Sequence, residues 1–421
     1  MAKIPSVKKT ILENGLTVVS EFLPKVRSVA MGITVGTGSS SEEEKNLGIT
    51  HFIEHMCFKG TEKRSAFQIA KELDEIGGRI NAFTSKDMTM FFAVVLDRHL
   101  NIAVDVLSDL FLSSKFDFKE MEMERGVILE EINMYEDTPD ELIHDFFAET
   151  ILKGHPSAWP TLGTPQTVKN LKRIDLLEYK AAHYVPDNII VSFAGNIWHY
   201  TAVSLVKKYL GGLKGKKHHL THLHPKMESQ LKLKRKKIDQ VHLCLGGRAV
   251  SQMDPDRYAF TVLDNILGGS MSSRLFQEVR EKRGLAYSIF SSVMPFRDFG
   301  IYYIYAGASK ANYRKVLDLI MIELSSIKKI GVTAEELKRA KEHLKGTLVL
   351  GLESTSARMS FIARSEHFYG KTITIDEIFK KIDEVTQDDI LRLAERYFSD
   401  KCLTLTMIGD MPRLPKLELA L

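Results

Sequence analysis

The chain has 421 residues, 44% of them hydrophobic and 27% charged, with a formal net charge of +4. That length exceeds one ordinary core and predicts two or more domains, while the small net charge excludes a chain that binds nucleic acid over its whole surface. Three scattered cysteines, Cys57, Cys244 and Cys402, argue against a disulfide framework and fit a reducing compartment. Lysines follow Met1 without an apolar signal core. The longest apolar runs, such as Phe91 to Leu96, are too short to cross a bilayer. A cytoplasmic protein without membrane insertion is expected.

In chain order, a strand covers Val29 to Val35. Helices follow at Thr50 to Phe58 and Ser65 to Ile76, the second closed by Gly77-Gly78. A strand runs from Asn81 to Leu96 and a long helix from Arg98 to Leu112. A helix over Leu177 to Tyr184 then leads through Asp187 into a strand over Ile189 to Phe193 and Gly195-Asn196. The same order returns. A strand covers Val241 to Gly246, and a helix over Asp256 to Leu267 closes at Gly268-Gly269. A helix over Ser273 to Lys282 stops at Gly284. Two strands fill Ala286 to Ala308 and a helix covers Tyr313 to Lys329. At the end, a helix over Ile390 to Tyr397 leads through Asp400 into Leu403 to Met407 and Gly409-Asp410. Tyrosine and glycine stand 11 residues apart in one half and 12 in the other. An ordered echo of this kind predicts an α+β fold of two homologous domains, each a mostly antiparallel sheet packed with helices.

The expected division is residues 1–212, a joint at 213–237, and a second domain at 238–421. The joint opens with Gly211-Gly212-Leu213-Lys214-Gly215, poor in apolar residues. It also holds His218, His219, His222, His224 and a lysine-rich run from Lys232 to Lys237. These read either as a solvated linker or as a second metal or anion site.

The chemistry concentrates in His51-Phe52-Ile53-Glu54-His55. Ile49, Phe52, Ile53 and Met56 recur at helical spacing and make one apolar stripe. His51, Glu54, His55 and Phe58 make a second, and Gly60 stops the helix. Histidines one turn apart reach one ion, and Glu54 lies close enough to take a proton from its water. Two histidines and a carboxylate form a known catalytic zinc set. Glu124 and Glu131, two turns apart on one helix, are the candidates for the carboxylate side. Val127, Ile128 and Met134 are expected to share their face, and carboxylates in an apolar stripe are costly unless paired or bound to a cation. Glu131 is read as the third ligand, and Glu124 as a partner that orients a ligand.

His51-x-x-Glu54-His55, followed by Cys57-Phe58-Lys59-Gly60-Thr61, resembles the inverzincin peptidases, the family of pitrilysin, insulysin and the mitochondrial processing peptidase. Glu131 stands in the Val-Ile-Leu-Glu-Glu-Ile context where that family keeps its third ligand. The resemblance continues through Gly77 to Ser85 and Glu136-Asp137-Thr138-Pro139 and spans nearly the whole chain. It is similar to the short processing-protease branch, in which two such chains make one clamshell. Two departures are visible. Ser40 and Ser41 stand where the family often has arginine. Cys57 replaces a more usual aliphatic and predicts sensitivity to thiol reagents.

The resemblance implies more than the residues show by themselves. Substrate adds as a β-strand beside Asn81 and Ala82, with Phe58 nearby. Arg280 and Tyr287 reach the substrate carbonyl and the developing oxyanion. The stretch Gly268 to Ser273 is a substrate loop or a mere turn. One zinc per chain is expected, since the second half lacks His-x-x-Glu-His. The function expected is a zinc endopeptidase acting on peptides or unfolded segments, as a homodimer, with Glu54 as general base. The rival is a non-catalytic or partner-dependent subunit of the same fold.

Overall fold

A computed structural model describes residues 7–217, 224–399 and 403–411. The first half of the chain holds β1 (Lys8–Ile11), β2 (Thr17–Phe22), β3 (Ser28–Val35), α1 (Ile49–Cys57), α2 (Ala66–Asp74), β4 (Arg79–Thr84), β5 (Thr89–Leu96), α3 (Leu100–Ser113), α4 (Phe118–Glu136), α5 (Pro139–Ile151), α6 (Pro165–Asn170), α7 (Arg173–His183), β6 (Ile189–Gly195) and α8 (His199–Leu210). The second half holds β7 (Leu231–Arg235), β8 (Gln240–Ala249), α9 (Arg257–Leu267), β9 (Ala286–Pro295), β10 (Gly300–Ser309), α10 (Tyr313–Ile330), α11 (Ala334–Gly351), α12 (Thr355–Tyr369), α13 (Ile375–Glu384), α14 (Gln387–Tyr397) and β11 (Thr404–Gly409). Among these helices none is long and apolar enough to cross a membrane.

The elements gather into two compact units, one of residues 1–133, 159–221 and 350–373, the other of residues 134–158, 222–349 and 374–421. The first unit has a six-stranded sheet in the order β1-β2-β6-β3-β5-β4. It is antiparallel except for β2 beside β6. Side chains alternate between its faces. Val29, Met31, Ile33, Phe91, Val191 and Phe193 pack with α1, α3 and α7. Ala30, Met90 and Ala194 meet Met359 and Ala363 of α12 on the opposite face. Both faces being covered explains why β3 reads as a continuous apolar run. Gly32 leaves room for Met359 on this face: a Cβ would lie 2.4 Å from Met359 Sδ. Ion pairs Arg358–Glu21 (2.6 Å) and Lys9–Glu366 fasten α12 to this unit.

The second unit repeats the plan with five strands, ordered β7-β11-β8-β10-β9. Again one pair, β7 and β11, is parallel. Val241, Leu243, Leu245 and Ile304 pack with α9, α10 and α14. Cys244, Ile301, Tyr305 and Ile408 face Ile143, Phe147 and Ile151 of α5.

Several expectations are corrected. The units do not follow the linear halves, because α5 lies in the unit of the second half and α12 in that of the first. A cut at residue 212 separates the two largest cores but splits the smaller clusters that α5 and α12 make with the opposite sheet faces. The strand expected over Asn81 to Leu96 is a hairpin of β4 and β5, turned where the Ser85 amide donates to the Met88 carbonyl. The run Ser85-Lys86-Asp87 supplies the polar turn residues for this. The lysine run of the joint forms edge strand β7, and lysines on an edge discourage pairing with other chains. The segment Phe276–Glu281 is wound as a π-helix rather than an α-helix. His218, His219, His222 and Cys402 lie outside the described residues.

Candidate metal centre

Helix α1 is fixed by its apolar stripe. Ile49, Phe52, Ile53 and Met56 are all buried, and burial of such side chains contributes about 1.5–3 kcal/mol each. That is several times the worth of any one exposed polar contact on the helix, so the stripe decides which side turns inward. His51, Glu54 and His55 are left on the other side. The helix starts at Gly48, whose φ of +88° suits glycine. A Cβ there would lie 2.6 Å from the Leu162 carbonyl oxygen.

Helix α4 brings the carboxylates. Met121, Glu124, Ile128 and Ile132 are buried, whereas Val127 and Met134 are exposed. The expectation that Val127 and Met134 share the face of Glu124 is therefore corrected. At about 100° per residue, they fall to one side of Glu124 while Met121, Ile128 and Ile132 fall to the other. Glu131, on the rim of the buried arc, is half-exposed. Arg125 holds α4 in place: it donates to the Val168 and Leu171 carbonyls, and its guanidinium lies 5.4 Å from the Phe52 ring centroid of α1.

Three donor atoms converge. His51 Nε2 and His55 Nε2 are 3.1 Å apart, and Glu131 Oε2 is 3.9 Å from the first and 3.8 Å from the second. Among the described residues, these three alone form a group that satisfies metal-ligand spacing. Zinc bonds of 2.0–2.2 Å in tetrahedral arrangement put ligand atoms about 3.4 Å apart. The observed separations bracket that value, and two imidazole nitrogens with a carboxylate oxygen suit zinc. The residues therefore fit the ion.

The protonation states fit as well. His55 Nδ1 lies 2.8 Å from Glu124 Oε1. A proton on Nδ1 leaves the Nε2 lone pair facing the other donors. His51 is 8% exposed. Burial, and then the neighbouring His55, push its imidazolium down to about 3, so the ring is neutral. Its Nδ1 is buried with no hydrogen-bond partner among the described residues. Glu124 is also buried, and burial raises its pKa, but hydrogen bonds from His55 and from Lys59 at 2.5 Å outweigh that and hold it below the ordinary carboxylate range.

Glu54 projects from the same side of α1. Thr84 of β4 donates to Glu54 Oε2 at 2.5 Å, leaving Oε1 unused by that bond. Burial pushes the Glu54 carboxyl above its ordinary value, with Thr84 opposing. Cys57 is fully buried in α1, and burial raises its thiol pKa. That corrects the expectation of thiol-reagent sensitivity, since a buried neutral thiol is inert.

The other expected residues stand as follows. Asn81 and Ala82 lie on β4, the sheet's edge, and the Ala82 amide donates to Asn81 Oδ1. Phe58 is the residue after α1; it is half-buried, with its ring 6.4 Å from that of Phe91. Arg280 and Tyr287 belong to the second unit. Tyr287 is the second residue of edge strand β9 and is 80% exposed. The Arg280 guanidinium lies 5.6 Å from its ring centroid and 4.9 Å from that of Phe276. Both line a cavity of about 570 Å³ with Asp239, Gln240 and Asn312. Gly268 and Gly269 cap α9 through the Asp264 carbonyl, so that stretch begins as a turn.

Sequence reasoning missed Thr84, Lys59, Arg125 and Glu42. Lys59 and Thr84 stood within the quoted motifs, but nothing in spacing says which carboxylate each meets. Glu42 accepts backbone hydrogen bonds at the start of α1, and it sits in a run of three glutamates that reads as solvated charge.

Two family models match successive stretches of the chain, and neither stretch coincides with a compact unit. Residues 17–165 match the family described as Insulinase (Peptidase family M16), and residues 170–344 match the Peptidase M16 inactive domain. The uncharacterized zinc protease YmxG of Bacillus subtilis is 40% identical over 96% of this chain and 100% of its own length. An uncharacterized zinc protease of Streptomyces coelicolor is 39% identical over 97% of this chain and 90% of its own. A crystal structure of a protease from Helicobacter pylori, 25% identical, superposes with a TM-score of 0.88 over 96% of this chain and 100% of that one. The crystal structure of a peptidase M16 inactive domain from Pseudomonas fluorescens shares the fold, with 18% identity and a TM-score of 0.91 over 98% of this chain and 100% of that one.

Proposed function

The chain belongs to peptidase family M16, and from that premise we propose that it is a zinc-dependent endopeptidase acting on peptides or unfolded segments. The observation that carries the reading is the convergence of His51, His55 and Glu131 beside Glu54. These three residues would hold one zinc per chain. When bound, the ion supplies Lewis acidity, polarising a peptide carbonyl and lowering the pKa of a water toward neutrality.

The chain's own residues do the rest. Glu124 holds the Nδ1 proton of His55 and so fixes its tautomer. Thr84 orients Glu54, and burial strengthens it as a base. Glu54 takes the proton of the attacking water and returns it to the leaving amine. No side chain is acylated. The free edge of β4, with Asn81 and Ala82, receives an extended substrate through main-chain hydrogen bonds, and Phe58 flanks it. Arg280 and Tyr287 serve the substrate carbonyl and the developing negative charge. The working form is a cytoplasmic homodimer.

The test is cleavage of a quenched fluorescent peptide library by wild type and Glu54→Gln, with zinc measured in both. Cleavage by wild type alone, with about one zinc in each protein, supports the reading. Wild-type protein that holds zinc and cuts nothing points to the partner-dependent or non-catalytic subunit.

A further inference from the structure

We infer that Glu42 is a positioning residue of the metal centre: its buried carboxylate caps the helix that carries both histidines and fixes where that helix begins. The inference rests on the zinc assignment to His51, His55 and Glu131.

Helix α1 opens without a cap of its own. The first-turn amides of any helix lack an intrahelical acceptor, and a side chain at the N-cap normally supplies one. Gly48 occupies that position with no side chain, and the Leu162 carbonyl leaves no room for one. Glu42 supplies the acceptor from upstream. Its Oε2 accepts the Gly48 amide at 2.8 Å and its Oε1 the Thr50 amide at 3.0 Å. Glu42 is 4% exposed, and a buried carboxylate is costly unless its oxygens are hydrogen-bonded. The partial positive charge at a helix N-terminus favours it further. Glu43 and Glu44, by contrast, are exposed.

The loop bearing Glu42 is itself held. The Ser39 and Ser40 amides donate to the Ser85 and Lys86 carbonyls, both at 3.0 Å, and Ser40 Oγ donates to the Lys86 carbonyl at 2.5 Å. A Cβ on Gly38 would lie 2.2 Å from the Ser85 carbonyl oxygen. The loop is thus stitched to the turn after β4, the strand whose Thr84 orients Glu54. One frame holds both the start of α1 and the general base. Helix α1 has only nine residues, with His51 in its first turn and His55 one turn later. A change in how the first turn starts moves both imidazoles against Glu131.

The test titrates metal-free protein with zinc against a chelating competitor, and with cobalt while following its visible absorption. Wild type comes first: if it binds neither ion tightly, the zinc assignment fails, which is distinct from failure of the Glu42 role. Given wild-type binding, Glu42→Gln sets an amide NH2 against a backbone donor. It is expected to weaken zinc affinity by about 10–100-fold and to alter the cobalt spectrum. Glu42→Asp keeps a carboxyl, one methylene short, and is expected to fall between. Ser65→Ala removes the side-chain cap of α2 in the same unit; it is expected to lower thermal stability with zinc affinity unchanged. The inference is overturned if Glu42→Gln, or Glu42→Asp should the glutamine variant not fold, binds zinc with wild-type affinity and spectrum. It is equally overturned if Ser65→Ala weakens zinc as much.

Discussion

The two units solve one packing problem twice and differ in what they do with the polar remainder. Helices α1 and α9 each follow the strand at the centre of the repeat, β3 or β8, and each is joined by a polar contact to the long helix that comes later, α4 or α11. In the first unit the contact is His55 to Glu124, an imidazole on a buried carboxylate, and it leaves a second imidazole nitrogen free to ligate. In the second it is Asn265 to His343 at 3.0 Å, an amide on an imidazole. That pair holds no carboxylate, so it offers no anionic donor. No metal-ligand group forms there among the described residues. A metal centre is thus a matter of four or five side chains on a shared scaffold, not of the fold.

Each of these contacts can be removed in turn. His55→Asn gives the first unit the amide that the second unit uses. It is expected to abolish tight zinc binding and peptide cleavage, as read by metal content and fluorescence. Next comes Glu54→Gln, which should retain zinc while lowering the rate constant by about 10²–10⁴-fold. Glu124→Gln leaves all three donors in place but frees the His55 ring, and a loss of about 10–100-fold in zinc affinity is expected. Asn265→Ala tests the other side: about 1–3 kcal/mol of stability lost through the unpaired partner, with zinc content unchanged.

The smallest effect is a pH dependence inside the second unit. Arg274 grips Glu336 at 2.7 and 3.0 Å. Burial raises the Glu336 carboxyl, but hydrogen bonds from Arg274 and Thr333 outweigh it and bring the pKa down to about 2, from 4.5. A carboxyl with a depressed folded pKa stabilises above the unfolded value and loses that contribution as pH falls through the folded one. The stability difference between metal-free wild type and Glu336→Gln, read by urea unfolding, is expected to be constant above pH 4.5. It should shrink as pH falls toward 2.

The sequence shows the repeat, its element order and the zinc motif because each is carried by local periodicity. The stripe of α1 and the seven-residue spacing of Glu124 and Glu131 are visible for the same reason. The exchange of α5 and α12 is not, because either helix presents an apolar face and nothing local says which sheet receives it. The side taken by Val127 and Met134 depends on an offset of under 90° about α4, finer than a stripe drawn by eye. Glu42 is one of three adjacent glutamates, and its burial is decided by a loop folded back on the β4–β5 turn. Thr84 meets Glu54 across 30 residues for a comparable reason: tertiary contact selects it.

Whether the first unit alone holds the metal can be read by anomalous diffraction at the zinc edge from crystals of the wild-type protein. One peak per chain is expected, about 2.0–2.2 Å from His51 Nε2, His55 Nε2 and Glu131. A peak in the second unit, or none between those three residues, would contradict that expectation.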